Sequence, residues 1–255
     1  MKESVKQMLF VIKQISYKER KKKVDETYLG VFWHLLNPLI YMVVLATYYQ
    51  NVITHDIEKY PVFVFVGILI MNYYRSATIG AMDSLSSSKT LLIKTHLPIE
   101  VFVDVRVLIA VKELLYSCIA LIPVIIFFKI KLSIRILELI PIFILTTLII
   151  IGVGKILSIA YLYFGDIDHL YRLFMTMMFY VSGVFIPLEH LPERIRDVFA
   201  YNPIFLSIYM TRNCLMYNLP SHWTAWIKII IWAIVLYGLG TLIFEKKRDA
   251  CMNRL

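Results

Sequence analysis

Charge is scarce in this chain. Only 18% of its 255 residues are Asp, Glu, Lys or Arg, against about 25% in a typical soluble domain. Cysteine is nearly absent: Cys118, Cys214 and Cys251 are odd in number, far apart and without metal-ligand spacing, so a disulfide scaffold and a cysteine metal site are excluded. They read as free thiols in or near lipid. No GxxxxGK[ST] loop occurs, and the nearest fragment, Gly152 to Lys155, lies inside an apolar run; the chain has no phosphate-cradling loop of its own. HExxH, GxSxG and CxxC are missing, and the six histidines are scattered, which leaves catalysis and metal binding without a constellation. There is no internal repeat, low-complexity linker or Gly/Ser-rich hinge. The basic N-terminus is not followed by a short apolar stretch and a small-residue cleavage site, so no signal peptide is expected.

What is abundant is apolar surface. Hydrophobic residues make up 59% of the chain, and the mean hydropathy is +0.70. A globule of 29.9 kDa has no interior large enough to hide that much from water, whereas lipid removes the need. A helix crossing the hydrocarbon core takes about 20 mostly apolar residues. Six runs qualify: Val31–Tyr49, Pro61–Met82, Val101–Phe128, Leu137–Tyr163, Leu173–Ile186 and Trp223–Phe244. The fold class predicted is therefore an all-α membrane protein of six transmembrane helices, 31–244, with a cytoplasmic tail at 245–255.

The net charge of +9 does not point to nucleic acid, because most Lys and Arg sit at the ends of the runs, where they set topology. With the N-terminus in the cytoplasm, the inside segments hold fifteen of them and the outside segments seven. That bias predicts both termini inside, in a plasma membrane, with membrane lipid as the surrounding partner. Residues 1–30 carry Val5, Met8, Leu9, Val11, Ile12 and Ile15 with lysines between them, the pattern of an amphipathic helix lying at the cytoplasmic interface.

Three features exceed what lipid-facing helices need. The cytoplasmic connection 83–100 contains a serine run ending in Ser87 and Ser88, then Leu91, Leu92, Ile93 and His96 before Pro98. It reads as a capped short helix offering a docking surface, or as a plain loop. The connection 187–222 is too apolar for a solvated loop and too polar and short for another span. Breaks at Pro187, Pro192, Pro203 and Pro220 suit re-entrant helices that dip into the outer leaflet and return. Finally, Arg75, Asp104, Arg106, Lys112, Glu113 and Lys155 fall within spans, where charge is costly and faces a protein interior or an aqueous route. Glu113 is the best candidate for an interior functional charge, a structural pair with another span being the alternative. Aromatic residues, 14% of the chain, form interfacial belts and also stack on sugar faces. Tyr41, Tyr48, Tyr73, Tyr74 and Tyr180 are candidate route-lining residues, with belt or packing roles as the alternative.

Residues along almost the whole chain resemble the membrane subunits of ABC exporters for lipid-linked or lipid-anchored polysaccharides (O-antigen, capsule, teichoic acid). Leu29-Gly30, Trp33 and Asn37-Pro38 match the family's LGxxWxxxxP at the start of its first span. Pro98 to Val101 with Glu113-Leu114 match its third span, and Phe164-Gly165-Asp166-Ile167 its FxDI turn. Ser182-Gly183, Pro187, Leu191-Pro192, Tyr201-Asn202-Pro203 and Arg212 match its re-entrant region. Gly165 stands where many members have Arg, and Lys23-Val24 where many have Arg-Tyr. The resemblance implies a homodimer docked on two copies of a separate ATP-binding subunit, which would hold the ATP and Mg; this chain would carry no cofactor and do no catalysis. It implies coupling through Ser87–His96 and Asp166 (connections 83–100 and 164–172), and a gate and channel mouth at Leu29, Gly30, Trp33, Asn37 and Pro38. The cargo implied is a lipid-linked glycan. Competing expectations are an ABC exporter of a drug, lipid or peptide, and a membrane glycolipid enzyme or scaffold.

Overall fold

The computed structural model describes residues 32–52, 59–94, 98–187 and 192–252, together with Gln14, Tyr17 and Arg254. Apart from Gln14 and Tyr17, the N-terminal interfacial helix expected at 1–30, including Leu29 and Gly30, lies outside the described residues, as does His96. All regular elements are helical, and no strand occurs among the described residues. In chain order they are α1 (Trp33–Val52), α2 (Tyr60–Ser87), α3 (Lys89–Lys94), α4 (Glu100–Phe127), α5 (Leu139–Tyr163, entered through a 3-10 turn at Ile134–Glu138), α6 (Ile167–Val181), α7 (Glu193–Phe199), α8 (Pro203–Arg212, continued by a π turn at Asn213–Tyr217) and α9 (Trp223–Met252).

Four helices have the length and apolarity to cross a membrane: Tyr60–Ser87, Glu100–Phe127, Ile134–Tyr163 and Trp223–Arg248. Twenty-eight residues rise about 42 Å, well beyond the roughly 30 Å hydrocarbon core. One of the six expected spans differs from this. The first, expected at Val31–Tyr49, falls on the 20-residue α1, whose described apolar stretch is Leu35–Tyr48. The fifth expected span, Leu173–Ile186, instead belongs to a 15-residue helix that begins at Ile167 and ends at Val181. It stops because Gly183 turns into the left-handed region with φ +67°, a conformation that costs glycine nothing.

Helix α2 is the hub. It packs against α1, α4, α5 and α8, and all its apolar side chains from Val62 to Met71 are buried. Hydrogen bonds cross from it at membrane depth: Tyr73 Oη meets Thr147 Oγ1 at 2.8 Å, and Ser207 Oγ lies between Tyr74 Oη (3.4 Å) and Thr146 Oγ1 (3.0 Å). Such pairs serve as glue where lipid gives helices no hydrophobic drive to associate. Small residues do the rest between α5 and α9. A Cβ on Gly240 would sit 2.4 Å from the Gly152 carbonyl oxygen, and one on Gly152 2.2 Å from that of Leu236. The two backbones touch, as the small-residue crossings of membrane helices allow.

This crossing generates a prediction with its own control. Gly240→Ala must push α9 off α5, and overpacking of this kind costs about 1–3 kcal/mol. Gly238→Ala on the same helix meets nothing within 4 Å and removes a flexible residue. In thermal unfolding of the detergent-purified protein, Gly240→Ala should melt below wild type and Gly238→Ala at or above it. Equal melting of the two variants would contradict the crossing.

Candidate functional site

The exposed residues of α2 between Tyr60 and Ser87 are Asn72, Arg75, Ser76, Ser86 and Ser87, every one of them polar. Apart from Lys112, the exposed large side chains on α4 and α5 are apolar, among them Leu115, Ile119, Ile122, Ile140 and Ile144. Lipid suits the second set and not the first. The strip at 72, 75/76 and 79/80 follows helical spacing and forms one wall of a cleft of about 550 Å³.

The cleft gathers residues from four helices. Trp33, Asn37, Pro38 and Tyr41 come from α1, and Asn72, Tyr73, Arg75 and Ser76 from α2. Glu113 and Ser117 come from α4 and Arg172 from α6. Ser76 Oγ donates to Glu113 Oε2 at 2.8 Å, fixing the carboxylate on the shared wall. Arg172 reaches the cleft from the first turns of α6 while its Nε donates to Asp168 Oδ1 at 2.8 Å. That hydrogen bond holds the Asp168 carboxyl below the usual carboxylate range.

Candidates drawn separately from the sequence thus meet in one place: Trp33, Asn37, Pro38, Tyr41, Tyr73 and Glu113 all line the cleft. Three tyrosines do not. Tyr48 is exposed farther along α1. Tyr74 points away from the cleft and is buried beside Ser207. Tyr180 is exposed on α6, its ring edge-on to Phe179 and tilted against Phe185. Asn72, Ser76, Ser117 and Arg172 were not singled out from the sequence, although polar residues at helical spacing inside an apolar run were the available signal for the first two.

At the far end of α2, Ser87 Oγ donates to the Asp83 carbonyl at 2.8 Å and accepts from Arg106 Nη2 at 2.9 Å. Ser88 is buried in the turn, and its carbonyl accepts from Leu92 N at 2.9 Å, starting α3. Leu92 is 3% exposed and packs into the core, while Lys89 and Thr90 face outward. Leu92 is therefore a strut for α3, not part of an exposed apolar surface as the sequence suggested. The side chains of Leu91 and Ile93 lie outside the described residues. Asp166 is exposed just ahead of α6, and its carbonyl accepts from Leu170 N at 3.1 Å.

The segment after α6 closes over the other end of the bundle. Pro187 leads out of the break and Pro192 precedes α7. Asn202 Oδ1 caps α8 by accepting from Ile204 N at 2.9 Å, with Pro203 at the first helical position. Its Nδ2 donates to Ser182 Oγ at 3.2 Å, tying the start of α8 to the end of α6. Arg212 is 4% exposed. Its Nη1 donates to the Gly183 carbonyl (2.7 Å), Nη2 to those of Val184 and Phe63 (2.8 Å each), and Nε to Phe63 again (3.1 Å). The guanidinium carbon stands 3.3 Å from the centre of the Phe63 ring. Gly67 leaves the room: a Cβ there would lie 2.6 Å from Arg212 Nη2.

A helical bundle with four membrane-length helices is the architecture of a multi-pass membrane protein. The sequence pattern of the ABC-2 type transporter family matches residues 11–216, and the chain belongs to that family: it is a membrane permease subunit of an ABC transporter. Among its relatives are two proteins of Klebsiella pneumoniae called O-antigen export system permease protein RfbA, each 23% identical over 234 residues and covering 91% of this chain and 90% of their own. A protein of the same name from Myxococcus xanthus is 24% identical over 253 residues, with the same coverage.

Replacing Arg212 by Met should orphan the Gly183 and Val184 carbonyls. At about 1–3 kcal/mol for each buried unsatisfied group, a loss of about 3 kcal/mol or more is expected. Arg212→Lys should fall between, because an ammonium cannot reproduce the planar fork. Thermal melting of the purified protein measures both, and wild-type melting of Arg212→Met would show that the break does not depend on this side chain.

Proposed function

We propose that two copies of this chain face each other across the cleft and export a lipid-linked or lipid-anchored polysaccharide of the O-antigen, capsule or teichoic-acid type. Transport runs from the cytoplasmic to the outer side of the plasma membrane. Two copies of a separate subunit, which binds ATP and Mg, dock on the cytoplasmic face at α3 and at the turn carrying Asp166. Both termini are cytoplasmic, residues 1–30 gate the mouth near Trp33, Asn37 and Pro38, and α7 and α8 dip into the outer leaflet as re-entrant helices. ATP-driven closure of the partner subunits opens the route.

The observation that carries this reading is the polar strip of α2. A central helix whose only exposed residues are polar, facing aromatic side chains of α1 across a cleft, suits a hydrated, ring-bearing chain. Hydroxyls and amides meet sugar hydroxyls, and Trp33 and Tyr41 offer stacking faces. The names of the full-length relatives point to the same class of cargo.

The test compares pools of lipid-linked glycan in a strain lacking the gene. Polymer should accumulate inside and be depleted from the surface, with export restored by the intact gene. Unchanged pools would move the cargo to a drug, lipid or peptide, and loss from both pools would point to a role in synthesis. A second variant addresses coupling. Leu92→Asp should detach α3 from the bundle, leaving ATP hydrolysis by the complex while export falls at least about tenfold, or about 1.4 kcal/mol of coupling. Normal export by this variant would remove the role of α3.

A further inference from the structure

Helix α6 packs on α2 and α5, and α9 on α5 and α8. Between α6 and α9 this leaves a second groove, of about 470 Å³. Ile149 and Val153 of α5, Trp232 and Leu236 of α9 and the corner joining α7 to α8 line it together with α6. On α6 the lining runs from Tyr171 to Val181, a length of about 15 Å. That is half of the roughly 30 Å hydrocarbon core, the depth that one acyl chain reaches in one leaflet.

The walls offer little to a polar ligand, because their polar side chains are bonded within the protein. Tyr74 Oη meets Ser207 Oγ at 3.4 Å, and Thr78 Oγ1 donates to the Tyr74 carbonyl at 2.6 Å. Asn202 is spent on Ile204 N and Ser182, and Trp232 Nε1 donates to the Tyr201 carbonyl at 2.7 Å. A sugar or peptide seated here would give up hydrogen bonds to water without replacement; an alkyl chain gives up none. Hydrocarbon is also at hand, since Ile230, Ile231, Ile234 and Val235 of α9 are exposed on either side of Trp232.

One end of the groove carries a charge. Lys228 stands one turn before Trp232 and five residues after Trp223, where α9 begins. It is thus about 8 Å along the helix from an exposed tryptophan of the interfacial kind, a depth from which lysine reaches the headgroups. Its Nζ donates to the Ala200 carbonyl at 3.3 Å and sits 4.1 Å from the centre of the ring of Tyr201, itself a groove residue. No carboxylate, those of Glu193 and Asp197 on α7 included, lies within 4 Å of it among the described residues. An ammonium has three donors, so two remain for an anion.

We propose that this groove binds one phospholipid of the leaflet at the α7–α8 end, its phosphate on Lys228 and one acyl chain between α6 and α9. The lipid is distinct from the cargo, and the site does not depend on what is exported. It backs a helix of which only Met175 is buried within the chain, so it stabilises the position of α6.

The experiment uses the assembled transporter with its ATP-binding subunit in detergent, stripped of lipid and titrated with phosphatidylglycerol. Bound lipid is counted by native mass spectrometry, and thermal melting is followed on the same samples. Wild type should hold one lipid per copy of this chain and melt higher with it. Lys228→Met should raise the half-saturating concentration about tenfold, the scale of one charge-assisted bond, and Lys228→Arg should recover most of that loss. Val153→Trp fills the groove and should abolish the site, whereas Val43→Trp, in a separate apolar groove between α1 and α4, should leave it intact. Absence of bound lipid on wild type overturns the proposal, as does binding unmoved by Lys228→Met or by a folded Val153→Trp. Should Val153→Trp fail to fold, the two Lys228 variants decide. Cross-linking of a cysteine at Leu236 to the second copy of the chain also overturns it, because protein would then fill the groove. So does tenfold tighter binding of a polyisoprenyl diphosphate, which would give the groove to the cargo. A transporter that binds phosphatidylglycerol as described and exports no glycan keeps this site and loses only the export reading.

Discussion

Inside a bilayer, a backbone that leaves helical geometry must find its hydrogen bonds within the protein, because hydrocarbon supplies none. This chain leaves it at Ser182–Gly183, and the exposed carbonyls of Gly183 and Val184 end on the Arg212 guanidinium. The same side chain holds Phe63 at the start of α2, so one residue joins α8, the break after α6 and the hub helix. Tyr60 Oη adds a further bond, to the Phe185 carbonyl at 3.0 Å. Placement of α6 follows from this knot, and so does the position of Arg172 on the cleft wall. A short α6 and the two short helices after it are thus one construction, not three irregularities.

The bundle separates what meets lipid from what does not. Helices α4, α5 and α9 turn large aliphatic side chains outward. Helix α2 keeps its apolar side chains inside and shows only polar ones. That inversion costs nothing if the strip faces water or a hydrated cargo, and is costly against lipid tails. The tight α5–α9 contact at Gly152 and Gly240 and the hydroxyl pairs around Thr146, Thr147 and Ser207 make the α2–α5–α9 block rigid. The cleft lies on the opposite side, where α1 and α6 stand against α2 more loosely. A rigid block with peripheral helices suits a permease that opens without losing its fold.

Much of this was legible in the residue order. The apolar runs at 61–82, 101–128, 137–163 and 223–244 coincide with α2, α4, α5 and α9, since hydropathy alone decides where a span of that length lies. The run at 173–186 misled in its bounds: a window of apolar residues does not register Gly183 in the left-handed region, nor that Asp168 and Arg172 continue a helix by pairing one turn apart. Of the neighbouring Tyr73 and Tyr74, one lines the cleft and the other does not, because helical faces about 100° apart acquire meaning only once α5 and α8 are in place. Leu92 looked like an exposed docking residue for the same reason; its burial is a tertiary fact. Arg212 was visible as part of a family pattern, but its role as a carbonyl anchor depends on Phe63, about 150 residues earlier in the chain.

The central claim is that the polar strip of α2 lines an aqueous route and not a lipid boundary. Single cysteines at Asn72 and Ser76, in a background with the three native thiols replaced, can be compared with single cysteines at Leu115 and Ile144 by their rates of labelling with a charged, membrane-impermeant thiol reagent, in the assembled transporter during ATP turnover. Cysteines at 72 and 76 should label readily while those at 115 and 144 stay silent. Silence at all four positions, or equal labelling of all four, would contradict the account.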